Sequence, residues 1–278
     1  MESPHGAAVT AESLGMRGPR GWVFRNVTFS AEPGALVAVE GASGSGRTCL
    51  LLALTGRMRT TEGRAETGGL RLPKQAAAVR AIAALGPVPM VSELDPAFTV
   101  AEHLGERALL QGRYGASLRS LLRPRAERRA AATARVDEAL EAAGLDIAAL
   151  PKAGRTSVRD LERLEALRLS VALALIGKPR LLAVDDTDLK LSDAERDQAW
   201  ALLRSVAAGG TTVLAVCSEA PEDALVVRTD AAAGDRAPGT DGRPTGATAE
   251  TAPATDDPTT TITTDEETAD AFAETGRS

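Results

Sequence analysis

Residues 41–48 combine glycines with hydroxyl side chains at a spacing that suits phosphate binding. The stretch consists of Gly41, Ala42, Ser43, Gly44, Ser45, Gly46, Arg47 and Thr48. Glycines let the backbone curl so that successive N–H groups point inward, and the N-terminus of a following helix adds positive potential. The spacing Gly-x-x-x-x-Gly is followed by a basic residue and a threonine. It therefore predicts a P-loop, which holds nucleotide phosphates, with Thr48 as an oxygen ligand for Mg²⁺.

The flanking residues separate a P-loop from an ordinary Gly/Ser-rich loop. The apolar run Leu36–Val39 is typical of a buried strand, and Cys49–Leu54 is typical of the start of a helix. A strand, a glycine-rich loop and a helix in this order are what a P-loop requires. The flanks therefore favour a nucleotide site over a plain turn.

Arg47 stands where the P-loop pattern has lysine. Arginine is the default cation of this chain, since its only lysines are Lys74, Lys152, Lys178 and Lys190. A guanidinium is longer, planar and forked, whereas the lysine ammonium is a compact point charge. We expect phosphate binding to persist but weaken, and catalytic alignment to suffer more.

Two neighbouring carboxylates, Asp185 and Asp186, follow the apolar run Leu181–Val184. Acids at the end of a buried strand are costly without a nearby cation, which makes a plain surface turn the weaker alternative. In a P-loop fold the first such acid lies opposite the loop threonine and helps to hold Mg²⁺. The sequence therefore predicts Asp185 and Thr48 as the metal-binding pair.

Composition bounds the class of protein. The chain of 278 residues is 44% hydrophobic and 25% charged, and no apolar run approaches a membrane span or a secretory signal. Its two cysteines, Cys49 and Cys217, fall in predicted core segments, which favours a reduced, cytoplasmic setting. From residue 231 onward ten acids and three arginines give a balance of −7, so the preceding part carries about +1. That near-neutral charge argues against a nucleic-acid partner.

The pattern along the chain predicts three parts. We expect a flexible N-terminus at 1–20, a domain at 21–230, and a disordered Thr/Ala/Asp-rich acidic tail at 231–278. Within the domain, residues 90–176 change to helical periodicity and predict a helical subdomain. Ser157 and Asp160 have capping-box spacing, so we expect the third of its helices to run from 158 to 176.

Further elements follow from local signals. Strands are predicted around 22–29, 211–217 and 224–228, and a small hairpin at 63–72; residues 77–85 are ambiguous between helix and strand. Thr99 with Glu102, and Ser192 with Glu195, predict capped helix starts.

The order of these parts resembles the nucleotide-binding domain of ATP-binding cassette (ABC) transporters, from about Val23 to Arg228. The stretch from Ala172 to Leu182 (ALALIGKPRLL) looks like the helix and strand that lead into that family's Walker B motif. The resemblance implies an α/β P-loop NTPase fold of ABC type, with a mixed sheet core and a helical subdomain. It also implies ATP and Mg²⁺ as cofactors and Asp186 at the position of the catalytic glutamate.

Several positions depart from the family pattern. The Leu-Ser-Gly-Gly-Gln signature falls on Leu161–Glu165 and keeps only the leucine, while the Q-loop glutamine falls on Met90 and the switch histidine on Ser218. The D-loop aspartate falls on Ser192. The aromatic residue that stacks on adenine has no clear counterpart, since Leu14 stands nearest to it and Trp22 lies in a predicted strand.

The resemblance leaves two functions open. One is an ATPase subunit that binds ATP with Mg²⁺, dimerises with itself or with another ABC cassette, and drives an integral membrane transporter subunit. Such a subunit is cytoplasmic and held at the inner face of the membrane by its partner. The other is a catalytically impaired pseudo-ATPase that regulates or stabilises such a partner, because Glu162 and Glu165 bring negative charge to the signature position.

Overall fold

The computed structural model describes residues 5–114 and 124–229. The acidic tail predicted at 231–278 lies outside the described residues. The strands in chain order are β1 (Val9–Gly18), β2 (Gly21–Ala31), β3 (Leu36–Glu40), β4 (Glu62–Thr67), β5 (Leu70–Leu72), β6 (Ala83–Leu85), β7 (Leu181–Val184), β8 (Thr212–Cys217) and β9 (Leu225–Arg228). The helices are α1 (Arg47–Leu54), α2 (Ala76–Ile82), α3 (Val100–Tyr114), α4 (Arg125–Ala142), α5 (Arg163–Leu175) and α6 (Asp193–Ala208).

A five-stranded parallel sheet in the order β6-β7-β8-β3-β9 forms the centre of the fold. Both of its faces are covered, as is usual for parallel sheets. In β7, Leu181 and Ala183 contribute to the core beside α1, whereas Leu182 and Val184 pack with α5 and α6. Because all strands run the same way, the loops after β3, β7, β8 and β9 meet at one edge.

A second, antiparallel sheet in the order β2-β1-β4-β5 packs against the same core. Its first strand corrects the prediction of a flexible N-terminus at 1–20. Gly15 lies at a register shift between β1 and both of its neighbours, so it does not end the strand, whereas Gly18 is the last residue of β1 and pairs with Gly21 of β2. Val9 and Leu14 are fully buried, and this burial orders the segment.

Two helices begin at the capping signals that the sequence predicts. Thr99 caps α3, since its Oγ1 accepts the N–H of Glu102 at 3.3 Å while its own N–H donates to Glu102 Oε2 at 2.7 Å. Ser192 caps α6 in the same way: its Oγ accepts the N–H of Glu195 at 3.4 Å, and its own N–H donates to Glu195 Oε2 at 2.8 Å. The three helices α3, α4 and α5 share a cluster of buried apolar residues. The boundaries of a helical subdomain at 90–176 stay a prediction.

The predicted helix 158–176 is wrong at its start. Residues 158–160 form one isolated turn, the Ser157 side chain makes no capping hydrogen bond, and α5 begins only at Arg163. The cause is tertiary: Val158 N–H donates to Phe98 O at 2.9 Å, and Val100 N–H donates to Thr156 O at 3.0 Å. These bonds hold the chain extended where the capping pattern would have started a helix.

The ambiguous segment 77–85 contains both elements, since α2 leads directly into β6. The strand predictions at 22–29, 211–217 and 224–228 and the hairpin at 63–72 are confirmed within one or two residues. Among the helices of the described residues, none is long and apolar enough to cross a membrane.

Candidate functional site

The P-loop joins the end of β3 to the first turn of α1. Gly44 and Gly46 adopt left-handed backbone angles, with φ of 80° and 85°. A Cβ atom on Gly46 would lie 2.5 Å from Val23 O, so only glycine fits where the loop passes β2. The loop is thus held by close backbone packing as well as by its own turns.

The N-terminus of α1 is open. Gly46 is its N-cap residue, no side chain caps it, and its first turn contains no acid. The first N–H groups of a helix have no partner within the helix, and they carry the positive end of its dipole. The site can therefore take a phosphate on its free backbone donors.

Thr48 and Asp185 meet at the edge of the parallel sheet. Thr48 Oγ1 donates to Asp185 Oδ2 at 2.6 Å, although 137 residues separate the two in sequence. Asp185 is 2% exposed, and burial raises the pKa of its carboxyl group, as does the neighbouring charge of Asp186, while the Thr48 hydrogen bond and the charge of Arg47 lower it. Asp185 has no salt bridge among residues 5–114 and 124–229, and a hydroxyl beside such a buried carboxylate fits the oxygen-ligand preference of Mg²⁺.

Arg47 is the first residue of α1, and its charge acts on Asp185. Its guanidinium donates to the backbone carbonyl of Cys217, the last residue of β8. Burial raises the pKa of the Cys217 thiol to about 12, so this cysteine stays protonated and unreactive. The cation that replaces the P-loop lysine is thus engaged with the neighbouring strand.

Asp186 follows Asp185 with an unusual left-handed backbone, at φ 48°. Its N–H donates to Asp185 Oδ1 at 2.9 Å, and its side chain is half-buried. It lines a cavity of about 370 Å³ together with Arg163 and Thr187. The arrangement places a second carboxylate next to the candidate metal pair.

The other positions taken from the family pattern carry little chemistry. Met90 is 95% exposed at φ 60°, and its N–H donates to Glu93 Oε1 at 2.9 Å. Ser218 is exposed, and its N–H donates to Asp188 Oδ2 at 2.6 Å. Ser192 serves as the helix cap described above.

The two residues considered for adenine stacking, Leu14 and Trp22, both lie in the antiparallel sheet. Leu14 is fully buried in β1. Two cations lie over the Trp22 ring, with the guanidinium carbons of Arg25 and Arg17 at 4.6 and 5.7 Å from its centroid. Such cation–π contacts fix the ring on the antiparallel sheet.

The signature position places acids at the start of α5. Glu162 is the N-cap residue of this helix, and its N–H donates to Glu165 Oε2 at 2.9 Å. One backbone donor at this helix start is therefore already bound within the chain. The carboxylates also oppose the approach of a phosphate.

Two residues near the site could not be found from sequence. Thr229, which directly follows β9, has its Oγ1 2.7 Å from Ser45 Oγ, and both residues are buried. This hydrogen bond ties the P-loop to the end of β9. Asp188 holds the end of β8 by accepting the N–H groups of Ser218 and Glu219 at 2.6 and 3.3 Å. For Asp188 the sequence offers one weak signal, its position two residues after the acids Asp185 and Asp186. For Thr229 it offers none.

Comparison with known proteins places these features in a family. Residues 24–188 match the family model described as ABC transporter. The Nod factor export ATP-binding protein I of Burkholderia lata is 33% identical over 193 residues, and that of Cupriavidus metallidurans is 32% identical over 193 residues. Each alignment covers 69% of this chain and 56% of the relative, so the chain spans about half the length of these curated relatives.

Solved structures show the same fold. A bacterial Atm1-family ABC exporter with ATP bound superposes with a TM-score of 0.60 at 23% identity, over 81% of this chain and 37% of that chain. The dimeric bacterial ABC transporter cassette MJ0796 gives 0.60 at 19% identity, over 79% of this chain and 94% of that chain. The α/β P-loop fold of ABC type predicted from the sequence is confirmed.

Proposed function

The chain belongs to the ABC transporter family of ATP-binding proteins, and on that premise we propose that it binds ATP with Mg²⁺ as the nucleotide-binding subunit of a transporter. The observation that carries the proposal is the contact between Thr48 and Asp185 beside the open N-terminus of α1. The backbone donors of 41–48 would take the phosphates, and Thr48 with Asp185 would hold the ion. Mg²⁺, when bound, neutralises charge on the phosphate oxygens.

The proposed partner is an integral membrane subunit that is a separate polypeptide. The chain would then lie in the cytoplasm, at the inner face of the membrane, through that contact. Dimerisation with itself or with a second ABC cassette follows from the arrangement that the family resemblance implies. In that arrangement the P-loop of one subunit faces the signature of the other.

Nucleotide binding can be tested on the full chain by calorimetry with ATP in the presence and absence of Mg²⁺. We expect Mg²⁺ to strengthen binding, and Asp185→Asn to remove most of that gain, roughly tenfold or more, because a charge-assisted contact is lost. Asp137→Asn, an exposed acid on α4, is the matched control. Equal Mg²⁺ dependence in Asp185→Asn and in the unaltered chain would contradict the metal assignment.

A second candidate function is a pseudo-ATPase that uses bound nucleotide to stabilise or regulate the transporter. The start of α5 favours it, since Glu162 and Glu165 occupy the position that offers donors to a partner's nucleotide in the family pattern. In a homodimer each P-loop would face these two acids. In a heterodimer with a cassette whose signature motif is complete, that signature would supply hydrogen-bond donors to the nucleotide on this chain's P-loop. The partner's own P-loop would still face Glu162 and Glu165.

Steady-state turnover separates the two functions. We expect the purified chain to hydrolyse ATP very slowly, and Asp186→Glu to add little, because the missing stabilisation of phosphate charge comes from the facing signature. Asp186 is one methylene shorter than glutamate, which draws the carboxylate back by roughly 1.5 Å. Sustained turnover by the chain alone, abolished by Asp186→Asn, would establish the plain ATPase.

A further inference from the structure

The half-buried carboxylate of Asp188, in the loop after β7, holds the backbone just past the end of β8. Its Oδ2 accepts the N–H of Ser218 at 2.6 Å and the N–H of Glu219 at 3.3 Å. Hydrogen bonds to an ionised acceptor are shorter and stronger than those between neutral groups. Across residues 5–114 and 124–229, Asp188 forms no salt bridge, so its charge is directed at these two backbone donors.

The peptide group that joins Cys217 to Ser218 connects this carboxylate to the P-loop. A peptide group is planar and almost always trans, so its C=O and its N–H point in opposite directions. Because the N–H of Ser218 is directed at Asp188, the carbonyl of Cys217 is directed to the other side. There it accepts a hydrogen bond from the guanidinium of Arg47.

The chain before this peptide group is held from two directions. Thr187 N–H donates to Val216 O at 3.0 Å, and β8 pairs with β3 up to Cys217, which lies opposite Glu40. Since the preceding residues are fixed in this way, the bond to Asp188 sets the orientation that is left to the peptide group at 217–218.

The result is a chain of hydrogen bonds that runs from Asp188 through one peptide group to Arg47. An anion at the N–H end and a cation at the C=O end polarise the peptide dipole in the same sense, so each bond strengthens the other. Arg47 stands at the lysine position of the P-loop. A guanidinium N–H that faces the carbonyl of Cys217 is not available to a phosphate at the same time, so the two acceptors compete for it.

We propose that Asp188 is a positioning residue for the nucleotide site: through the peptide group at 217–218 it holds Arg47 on the carbonyl of Cys217, and ATP has to displace this contact. The inference rests on the proposed binding of ATP at residues 41–48. Without the acceptor at position 188 the peptide group can turn, and the guanidinium becomes available to the phosphates. Loss of a residue that merely supports the fold would weaken ATP binding or leave it unchanged.

Calorimetric titration of the full chain with ATP and Mg²⁺ tests the role of Asp188. Asp188→Ala should tighten ATP binding roughly twofold to tenfold, which is the ratio expected for one net hydrogen bond. Asp188→Asn removes the same charge but keeps a side-chain oxygen as acceptor, so it should tighten binding less. Asp137→Ala, which removes an exposed acid on α4, is the matched control.

Two results of this titration would overturn the proposal. Equal tightening in Asp188→Ala and Asp188→Asn would mean that the carboxylate acts only by repelling the phosphates. Weaker or unchanged binding in Asp188→Ala would mean that Arg47 is not held back from ATP.

A double-mutant cycle with Arg47→Lys shows whether Asp188 acts through Arg47. Lysine lacks the guanidinium that reaches the carbonyl of Cys217. In the Arg47→Lys background, Asp188→Ala should therefore change ATP affinity by less than about twofold. The same ratio in both backgrounds would contradict the proposed route.

The same cycle on the melting temperature of the nucleotide-free chain separates this inference from the proposed function. Asp188→Ala and Arg47→Lys should each lower the melting temperature by a few degrees, roughly the shift for one hydrogen bond in a domain of this size. The double variant should lose less than the sum, because both changes break the same chain of hydrogen bonds. If the chain binds no ATP, the proposed function fails, and such coupled losses would still establish that Asp188 positions Arg47. Additive losses would overturn the inference whether or not ATP binds.

Discussion

The N-termini of α1 and α5 differ in what they offer to an anion. The first turn of α1 contains no acid and its N-cap residue is Gly46, so its backbone donors are open. The first residues of α5 include Glu162 and Glu165, and one backbone donor there is bound by Glu165. The same backbone feature is therefore exposed in one helix and covered in the other, and the side chains of the first turn decide which.

This contrast bears on catalysis in the family arrangement. A site that draws one set of donors from a P-loop and the other from a facing signature needs both helix starts to be open. Here the start of α1 has no capping side chain and no acid in its first turn, whereas the start of α5 carries two acids and one of its backbone donors is bound by Glu165. We therefore expect a phosphate to bind at the start of α1 more readily than at the start of α5.

The largest effect is expected from a substitution that disrupts the P-loop at the start of α1. Gly46→Ala places a Cβ atom 2.5 Å from Val23 O and forces alanine into a left-handed angle, so we expect a loss of about 2–4 kcal/mol in stability and no measurable ATP binding. Thermal unfolding and calorimetry would measure both.

Gly69→Ala is the matched control for this change. Gly69 has a similar φ of 76° but nothing within 4 Å of the added Cβ, so only the backbone cost of about 1 kcal/mol applies, and ATP binding should persist. Equal losses in the two variants would mean that close packing against β2 does not shape the P-loop.

Asp185→Asn should change binding and stability in opposite directions. Because burial raises the pKa of Asp185, its ionised form destabilises the nucleotide-free fold at neutral pH, and that penalty is lost as the pH falls through the raised pKa. The variant should therefore melt higher than the unaltered chain at pH 7, by an amount that shrinks towards acidic pH, while Mg²⁺-dependent ATP binding falls. Melting curves across pH, with Asp137→Asn alongside, would show this; a lower melting point at pH 7 would contradict it.

Arg47→Lys should strengthen ATP binding at the start of α1, with a smaller effect than the two changes above. The guanidinium is engaged with Cys217 O and must give up that bond to reach a phosphate, whereas a compact ammonium suits the P-loop directly. We expect ATP to bind a few-fold tighter, with Arg128→Lys as the control. Weaker binding would show instead that the loop has been rebuilt around arginine.

The smallest effect is expected from removing an acid at the start of α5. Glu165→Ala frees the N–H of Glu162 and removes one capping bond, so we expect a loss of about 0.5–1 kcal/mol in stability. Glu127→Ala, in the first turn of α4, removes a similar acid for which no capping bond is found among the described residues. If both variants lose the same stability, Glu165 acts through the helix dipole and not as a cap.

Local signals in the sequence predicted much of this molecule. The P-loop pattern, the acids after β7, and the caps of α3 and α6 each involve neighbouring residues, and the structure forms the caps at Thr99 and Ser192. The fold class followed from the order of such signals. The same reasoning failed at β1, where glycines suggested a flexible terminus, and at the start of α5, where a capping pattern is overridden by hydrogen bonds to 98–100.

The sequence by itself determined which residues could bind phosphate and metal, because glycine conformation, hydroxyls and carboxylates are properties of residue type and short spacing. Only the tertiary structure decided which distant groups meet them. The contact between Thr48 and Asp185 spans 137 residues, and that between Ser45 and Thr229 spans 184. Arg47 reaches Cys217 across 170 residues. Such contacts depend on the order and direction of strands in the sheet, which no local pattern specifies.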